Sequence, residues 1–238
     1  MLGNTTLESL SPDDMAALGP HLRERSLDEG LVLTAQGEEV DTIYFPTSAQ
    51  LANLVRFENG GMSESFFMGS EGVSGLAAFL AGEPCAWSVE VRRSGRAYEL
   101  AAPILRDRFQ ESATLRDSLL SLAYDYQAQS SLAAACGQQH TVQARLATVL
   151  ALLSEKLGAT SLDLTQDDLG RILGVQRTTV NAGSLLLRNA GAIRYSRGHI
   201  HIEDRQRLRE AACECLQLYE AIRPHSHGAT RDALRQHS

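Results

Sequence analysis

The run Gln176-Arg177-Thr178-Thr179-Val180-Asn181 holds side chains suited to the edges and backbone of a nucleic-acid duplex. Arg177 offers a planar fork of N–H donors that fits guanine O6 and N7. Asn181, one helical turn further on, carries the donor–acceptor pair that matches adenine N6 and N7. Thr178 can meet a thymine methyl or make one hydrogen bond. Thr179 bonds either a phosphate or, as threonine inside a helix often does, its own backbone. Gln176 stands where Ser or Asp would cap a helix better, so it either reaches a phosphate or stays solvated. Arg197 and His199 flank Gly198 and are phosphate candidates, whereas Arg171 and Arg188 read as solvated.

These side chains need a scaffold, and residues 165–202 supply its signals. Thr165 with Asp168 three residues on reads as a capping box. Leu169, Ile172 and Leu173 give the capped helix one apolar side, and Gly174 ends it. Gln176 to Ala190 reads as a second helix, with Val180, Leu185, Leu186 and Leu187 for packing and Gly191 as its stop. The closing IRYSRGHIHI alternates around a tip at Ser196-Arg197-Gly198-His199, and in that alternation His201 faces outward. Two short helices about a glycine turn, followed by a basic hairpin, predict a winged helix-turn-helix whose second helix enters a major groove.

Charge divides the chain in two. Residues 1–139 carry a net charge of −10 and residues 140–238 carry +3, within a total of −7. An acidic front half repels phosphates; a mildly basic back half accepts them. Lys156 is the only lysine among 22 basic residues, a bias that runs along the whole chain. The N-terminus lacks a basic start and apolar core, and no apolar run approaches a membrane span, so the expected location is cytoplasmic.

The expected fold class is α+β. After a short helix opened by Ser11 and Pro12, residues 23–100 alternate short strands with turns, including a hairpin at Asn59-Gly60-Gly61. That pattern predicts a double-stranded, jelly-roll-like β-roll. From Ser112 a long helix carries Leu115, Leu119, Leu122, Tyr126, Gln129, Ala133 and Cys136 at alternating steps of 4 and 3. Such a heptad seam predicts a dimerisation coiled coil, with Gln129 fixing register; the other reading is a helix packed on its own roll. Helices follow at Val142–Leu157 and, after the wing, at Glu203–Ile222. The expected domains are a roll over 1–110, a dimerisation helix and hinge over 111–139, a winged helix-turn-helix over 140–222 and a polar, His-rich tail over 223–238.

Other chemistries find little support. There is no G-x-S-x-G, P-loop or H-E-x-x-H, and the carboxylates of the front half have no paired spacing, so catalysis is not expected. Cys213 and Cys215 fall in a predicted helix, where positions two apart diverge by about 200° and chelate poorly. Cys85 and Cys136 read as buried structural thiols, with redox sensing as the other reading. His225-x-His227 reads as part of the tail. No metal site is expected.

The order of roll, long helix and winged helix resembles the Crp/Fnr family of bacterial transcription regulators over nearly the whole chain. LDEGLVLTAQGEEVDTIYFPTSAQLANLV resembles the family's opening strands, and MGSEGVSGLAAFLAGEPCAW the stretch that holds the effector in cyclic-nucleotide-binding members. TQDDLGRILGVQRTTV resembles the family's helix-turn-helix. The resemblance implies a homodimer on a near-palindromic duplex site, with RNA polymerase as a further partner. It also points to Gly69, Glu71 and Cys85 as effector-side residues. Two departures stand out. Pro84 occupies the place of the arginine that holds the cyclic phosphate, so cAMP and cGMP are not expected to bind in the family's usual way. Members reading the best-known half-site carry Arg-Glu-Thr-Val, and this chain has Arg177-Thr178-Thr179-Val180, so a different half-site is expected. The iron–sulfur cofactor of some members needs closely spaced N-terminal cysteines, and none precedes Cys85. The effector is unknown from sequence, and no cofactor is required. An effector- or protein-binding module, whose winged helix touches protein rather than DNA, is the alternative.

Overall fold

The computed structural model describes residues 2–196 and 198–222, which form two compact units. The first comprises residues up to 58 together with 66–126; the second comprises 59–65 with 127–222. In chain order the elements of the first half are α1 (Thr5–Glu8), α2 (Pro12–Leu18), β1 (Arg23–Leu27), β2 (Val32–Thr34), β3 (Thr42–Pro46), β4 (Gln50–Arg56), β5 (Met62–Met68), α3 (Leu76–Ala81), β6 (Ser88–Arg93), β7 (Gly95–Ala101) and α4 (Ala102–Glu111). The long helix α5 (Ala113–Gln139) follows. Then come α6 (Val142–Leu157), β8 (Ser161–Asp163), α7 (Gln166–Leu173), α8 (Arg177–Asn189), β9 (Ile193–Ser196), β10 (His199–Ile202), α9 (Arg205–Ala211) and α10 (Cys215–Ala221). No helix among the described residues is long and apolar enough to cross a membrane.

The roll is two antiparallel sheets of order β1-β7-β3 and β2-β6-β4-β5. The chain changes sheet between β6 and β7, at Ser94-Gly95. A Cβ at Gly95 would stand 2.3 Å from the Ala49 amide nitrogen, so only glycine lets the turn after β3 pass so close. Inward-facing Ile43, Phe45, Leu51, Val89, Val91 and Leu100 make the roll's core. Against it lies a polar hub. Asp14 is fully buried and accepts from Ser11, Thr114 and Arg108, the last at 2.7 Å. Burial pushes its carboxyl up, but these bonds and one from Ser112 outweigh that and hold it at about 2.

Helix α5 begins where Ser112 accepts from the Leu115 amide at 3.2 Å. Its first half corrects the predicted seam. Leu115, Leu119 and Leu122 are 1%, 0% and 6% exposed because they pack into the core of their own roll. Tyr126 belongs to the same side: its hydroxyl accepts the Val73 N–H at 2.8 Å. Further along, Cys136 is buried against Cys213 and Cys215 of the same chain, Gln129 is half-buried and Ala133 is exposed. A heptad says which residues share a face; it does not say what covers that face. The face left uncovered holds Leu120 at 49% and Tyr124 at 67% exposure. It continues at heptad steps through exposed Gln127, Ser131, Ala134 and Gln138.

In the second unit Thr141 caps α6, and Leu146, Ala147, Leu150 and Ala151 form the floor on which α8 and α9 pack. The predicted helix over 203–222 is two helices, α9 and α10, because Ala212 is extended, with φ −74° and ψ 157°. The predicted tail lies outside the described residues.

Candidate nucleic-acid interface

Thr165 opens α7 with a complete capping box: its hydroxyl accepts the Asp168 N–H at 3.1 Å, and the Asp168 carboxylate accepts the Thr165 N–H at 2.9 Å. Leu169 and Leu173 bury the inner side of α7. Gly174 ends the helix with φ 63°, and the Val175 N–H returns to the Gly170 carbonyl at 3.0 Å. The turn is tight enough that a Cβ at Gly170 would sit 2.9 Å from the Val175 carbonyl oxygen.

Helix α8 is fixed by Val180, Gly183, Ser184 and Leu187, all buried. Gly183 lets α8 approach α6 closely, with Gln143 backbone 3.6 Å from where a Cβ would be. Leu185 and Leu186, expected to help pack this helix, are 45% and 51% exposed, because the floor of α6 covers only the Val180–Leu187 side. Gln176, Arg177, Thr178, Thr179 and Asn181 are all exposed and share the first turns of α8. The N-terminus of α8 receives no cap from the Gln176 side chain. Its leading amides therefore remain available to an anion, as helix N-termini commonly are.

Arg177 and Asn181 are joined by a residue outside α8. Gln166, at the start of α7, donates from Nε2 to Asn181 Oδ1 at 3.1 Å and accepts at Oε1 from Arg177 Nε at 3.4 Å. Arg177 Nη1 lies 3.5 Å from the Asp167 carboxylate. The bridging amide thus orients both side chains without covering them. Gln166 is eleven residues before Arg177. No periodicity or capping rule links the two, so the sequence gives no sign of the bridge.

The wing is a three-stranded antiparallel sheet of order β8-β10-β9. Strand β8, three residues long, is too short to announce itself in sequence; it pairs Asp163 opposite His199. His199 Nδ1 and Asp163 Oδ1 are 2.7 Å apart on an exposed surface. His199 therefore has a carboxylate partner that it must leave to meet a phosphate, and exposed pairs of this kind are weak. Half-buried His201 faces Ser161 and Arg194 across the sheet. Arg197 lies outside the described residues.

On the roll, the residues with a proposed effector role lie apart in character. Gly69 donates its N–H to the Glu71 carboxylate at 3.1 Å, so the loop engages its own glutamate. Pro84 is exposed. Cys85 is fully buried in the apolar core, its N–H bonded to the Glu38 carbonyl at 2.8 Å and its carbonyl to the Gly37 N–H at 2.7 Å. Burial pushes its thiol up, and its side chain fills the core instead of facing a ligand.

Residues 144–211 match the Crp-like helix-turn-helix domain. No curated protein matches the chain by sequence. Among solved structures the chain is similar to FixK2 from Bradyrhizobium japonicum, with TM-score 0.72, 17% identity, and 81% of this chain and 98% of that one covered. It is similar to a putative transcriptional regulator of the Crp/Fnr family from Eubacterium rectale, with TM-score 0.71, 16% identity and coverage of 86% and 95%. It is also similar to TTHA1359, a Crp/Fnr-family transcriptional regulator from Thermus thermophilus, with TM-score 0.67, 21% identity and coverage of 80% and 98%. At these identities the likeness is one of fold: an N-terminal β-roll, a long helix and a C-terminal helix-turn-helix, as in regulators of the Crp/Fnr type.

Proposed function

We propose that this chain, which has the fold of Crp/Fnr transcription regulators and carries a Crp-like helix-turn-helix domain, is a homodimeric, sequence-specific DNA-binding regulator. The observation that carries the reading is the first two turns of α8. Val180 anchors them from below, while Gln176, Arg177, Thr178, Thr179 and Asn181 stand clear of the fold. In the groove Arg177 forks onto guanine and Asn181 reads adenine. The N-terminus of α8 takes a backbone phosphate. Arg177→Ala is expected to weaken specific binding by about 1–3 kcal/mol and to relax one base position, measured by selection from a random duplex pool. Binding that falls steeply with salt supports phosphate contact, and an interaction indifferent to salt favours a protein partner instead.

The uncovered face of α5 supports the dimer. Leu120 and Tyr124 are large, exposed and one turn apart, and the small residues Ser131 and Ala134 continue their line. Two copies joined there would carry two α8 helices to half-sites about 34 Å apart on a near-palindromic duplex. Leu120→Asp is expected to yield monomers by light scattering and to abolish tight binding to a two-half-site duplex.

The roll does not take cyclic nucleotides in the family's usual manner. Pro84 brings neither charge nor N–H to the place of the phosphate-holding arginine, and Cys85 beside it is turned into the core. Micromolar cAMP binding in calorimetry would refute this.

A further inference from the structure

Four side chains that have no part in reading DNA converge where α5 ends. Cys136 lies in the last turn of α5, and His140 immediately follows that helix. Cys213 sits in the corner between α9 and α10, and Cys215 opens α10. Their three sulfurs and one imidazole nitrogen all lie within 4.8 Å of one another. The three cysteines are buried and His140 is half-buried. Cys136 and Cys213 sulfurs are 3.5 Å apart.

An apolar core explains isolated buried thiols, which behave as small hydrophobes. It does not explain an imidazole drawn in among three of them. A disulfide would use two sulfurs and leave the third and the imidazole without a task. A single ion uses all four. Thiolates at about 2.3 Å from a tetrahedral zinc stand roughly 3.8 Å apart, within the spread observed here. Three sulfurs and one imidazole form a donor set of the structural zinc type, with no position left for substrate. An iron–sulfur cluster distributes its cysteines over separate irons and needs a wider cradle.

The surroundings suit such an ion. Glu214 Oε1 lies 3.6 Å from His140 Nε2, beyond hydrogen-bond length, so a small closure would let this exposed carboxylate accept the ring N–H and steady the imidazole, leaving Nδ1 for the ion. Thr148 Oγ1 is 3.1 Å from the Cys213 sulfur and accepts the Cys213 N–H at 3.2 Å. Leu132 of α5, Ala144 of α6 and Tyr219 of α10 close the remaining sides.

We propose that Cys136, His140, Cys213 and Cys215 bind one Zn2+ in a closed structural site that fastens the end of α5 to the α9–α10 corner. On binding, the three thiols lose their protons to solvent and the neutral imidazole gives its lone pair, so the ligated site carries one net negative charge. The site stands independently of the DNA-binding reading.

The test uses the full-length chain, purified reduced and without added chelator. Elemental analysis is expected to find one zinc per chain. After removal of the metal, Co2+ is expected to give tetrahedral d–d absorption with a strong thiolate-to-cobalt band, both erased by added Zn2+. Cys215→Ser and His140→Gln should each weaken Co2+ binding more than about a hundredfold, since losing even an outer-shell partner costs 10- to 100-fold. Glu214→Gln should weaken it about tenfold, and Cys85→Ser should leave it unchanged. Circular dichroism checks folding, and partly exposed His140 gives a variant that keeps the buried sulfurs in place. A reduced, folded chain that takes up no Co2+ would overturn the proposal. So would a cobalt spectrum without the thiolate band, a His140→Gln chain that binds as tightly as the parent, or iron found in place of zinc.

Discussion

The two ends of α5 are held by different means. At the first end three leucines sink into the core of the roll, and the Tyr126 hydroxyl reaches the Val73 backbone. At the last end the contact is made by Cys136, with half-buried Leu132, against a corner lined by two more cysteines. A leucine removes much more apolar surface from water than a thiol does. The first attachment is therefore built into the hydrophobic core, whereas the second has little area and depends on what its sulfurs bind.

That contrast can be broken by removing its parts in turn. Leu119→Ala should cost the roll about 3 kcal/mol, the usual loss for a fully buried leucine, seen as a lower urea midpoint. The polar side of the same attachment is Asp14, which ties α2 to Arg108 and to Thr114 at the start of α5. Its folded value of about 2 lies below the ordinary 3.8. The stabilisation is thus complete above about pH 4 and is lost as pH falls from there through 2. It amounts to about 2 kcal/mol, so Asp14→Asn should lower stability at neutral pH and flatten the acid limb of a pH–stability curve. Tyr126→Phe should cost about 1 kcal/mol by leaving the Val73 N–H without its acceptor. The smallest effect is expected at the other end: Cys136→Ala in the chelator-treated chain should cost below about 1 kcal/mol by thermal melting. A loss there as large as that at Leu119 would mean that the two ends are held alike.

What sequence reveals here follows the range of the interaction. The α7–α8 motif is written in local signals, a capping box at Thr165 and Asp168 and a left-handed glycine at 174, and these are legible because each acts within one turn. The face of α5 is also local, and its period is plain. Its occupant is not local, which is why Leu115 and Leu119 read as a seam between chains and turn out to be core. The corner at Ala212 lies in AACEC, a stretch without Gly or Pro, so nothing in it marks the break that lets Cys213 and Cys215 face one point. Gln166 is a further case: its amide joins Arg177 to Asn181 only once two helices have met.

The glycine at 170 has a consequence for how this surface can change. The oxygen 2.9 Å from its missing methyl group belongs to the peptide immediately before Gln176 and Arg177. Even alanine there must lift that peptide, and with it the leading edge of α8. Variation can therefore proceed freely among the outward side chains of α8, altering the chemistry the helix presents, while the angle at which it presents them stays tied to the absence of one carbon atom.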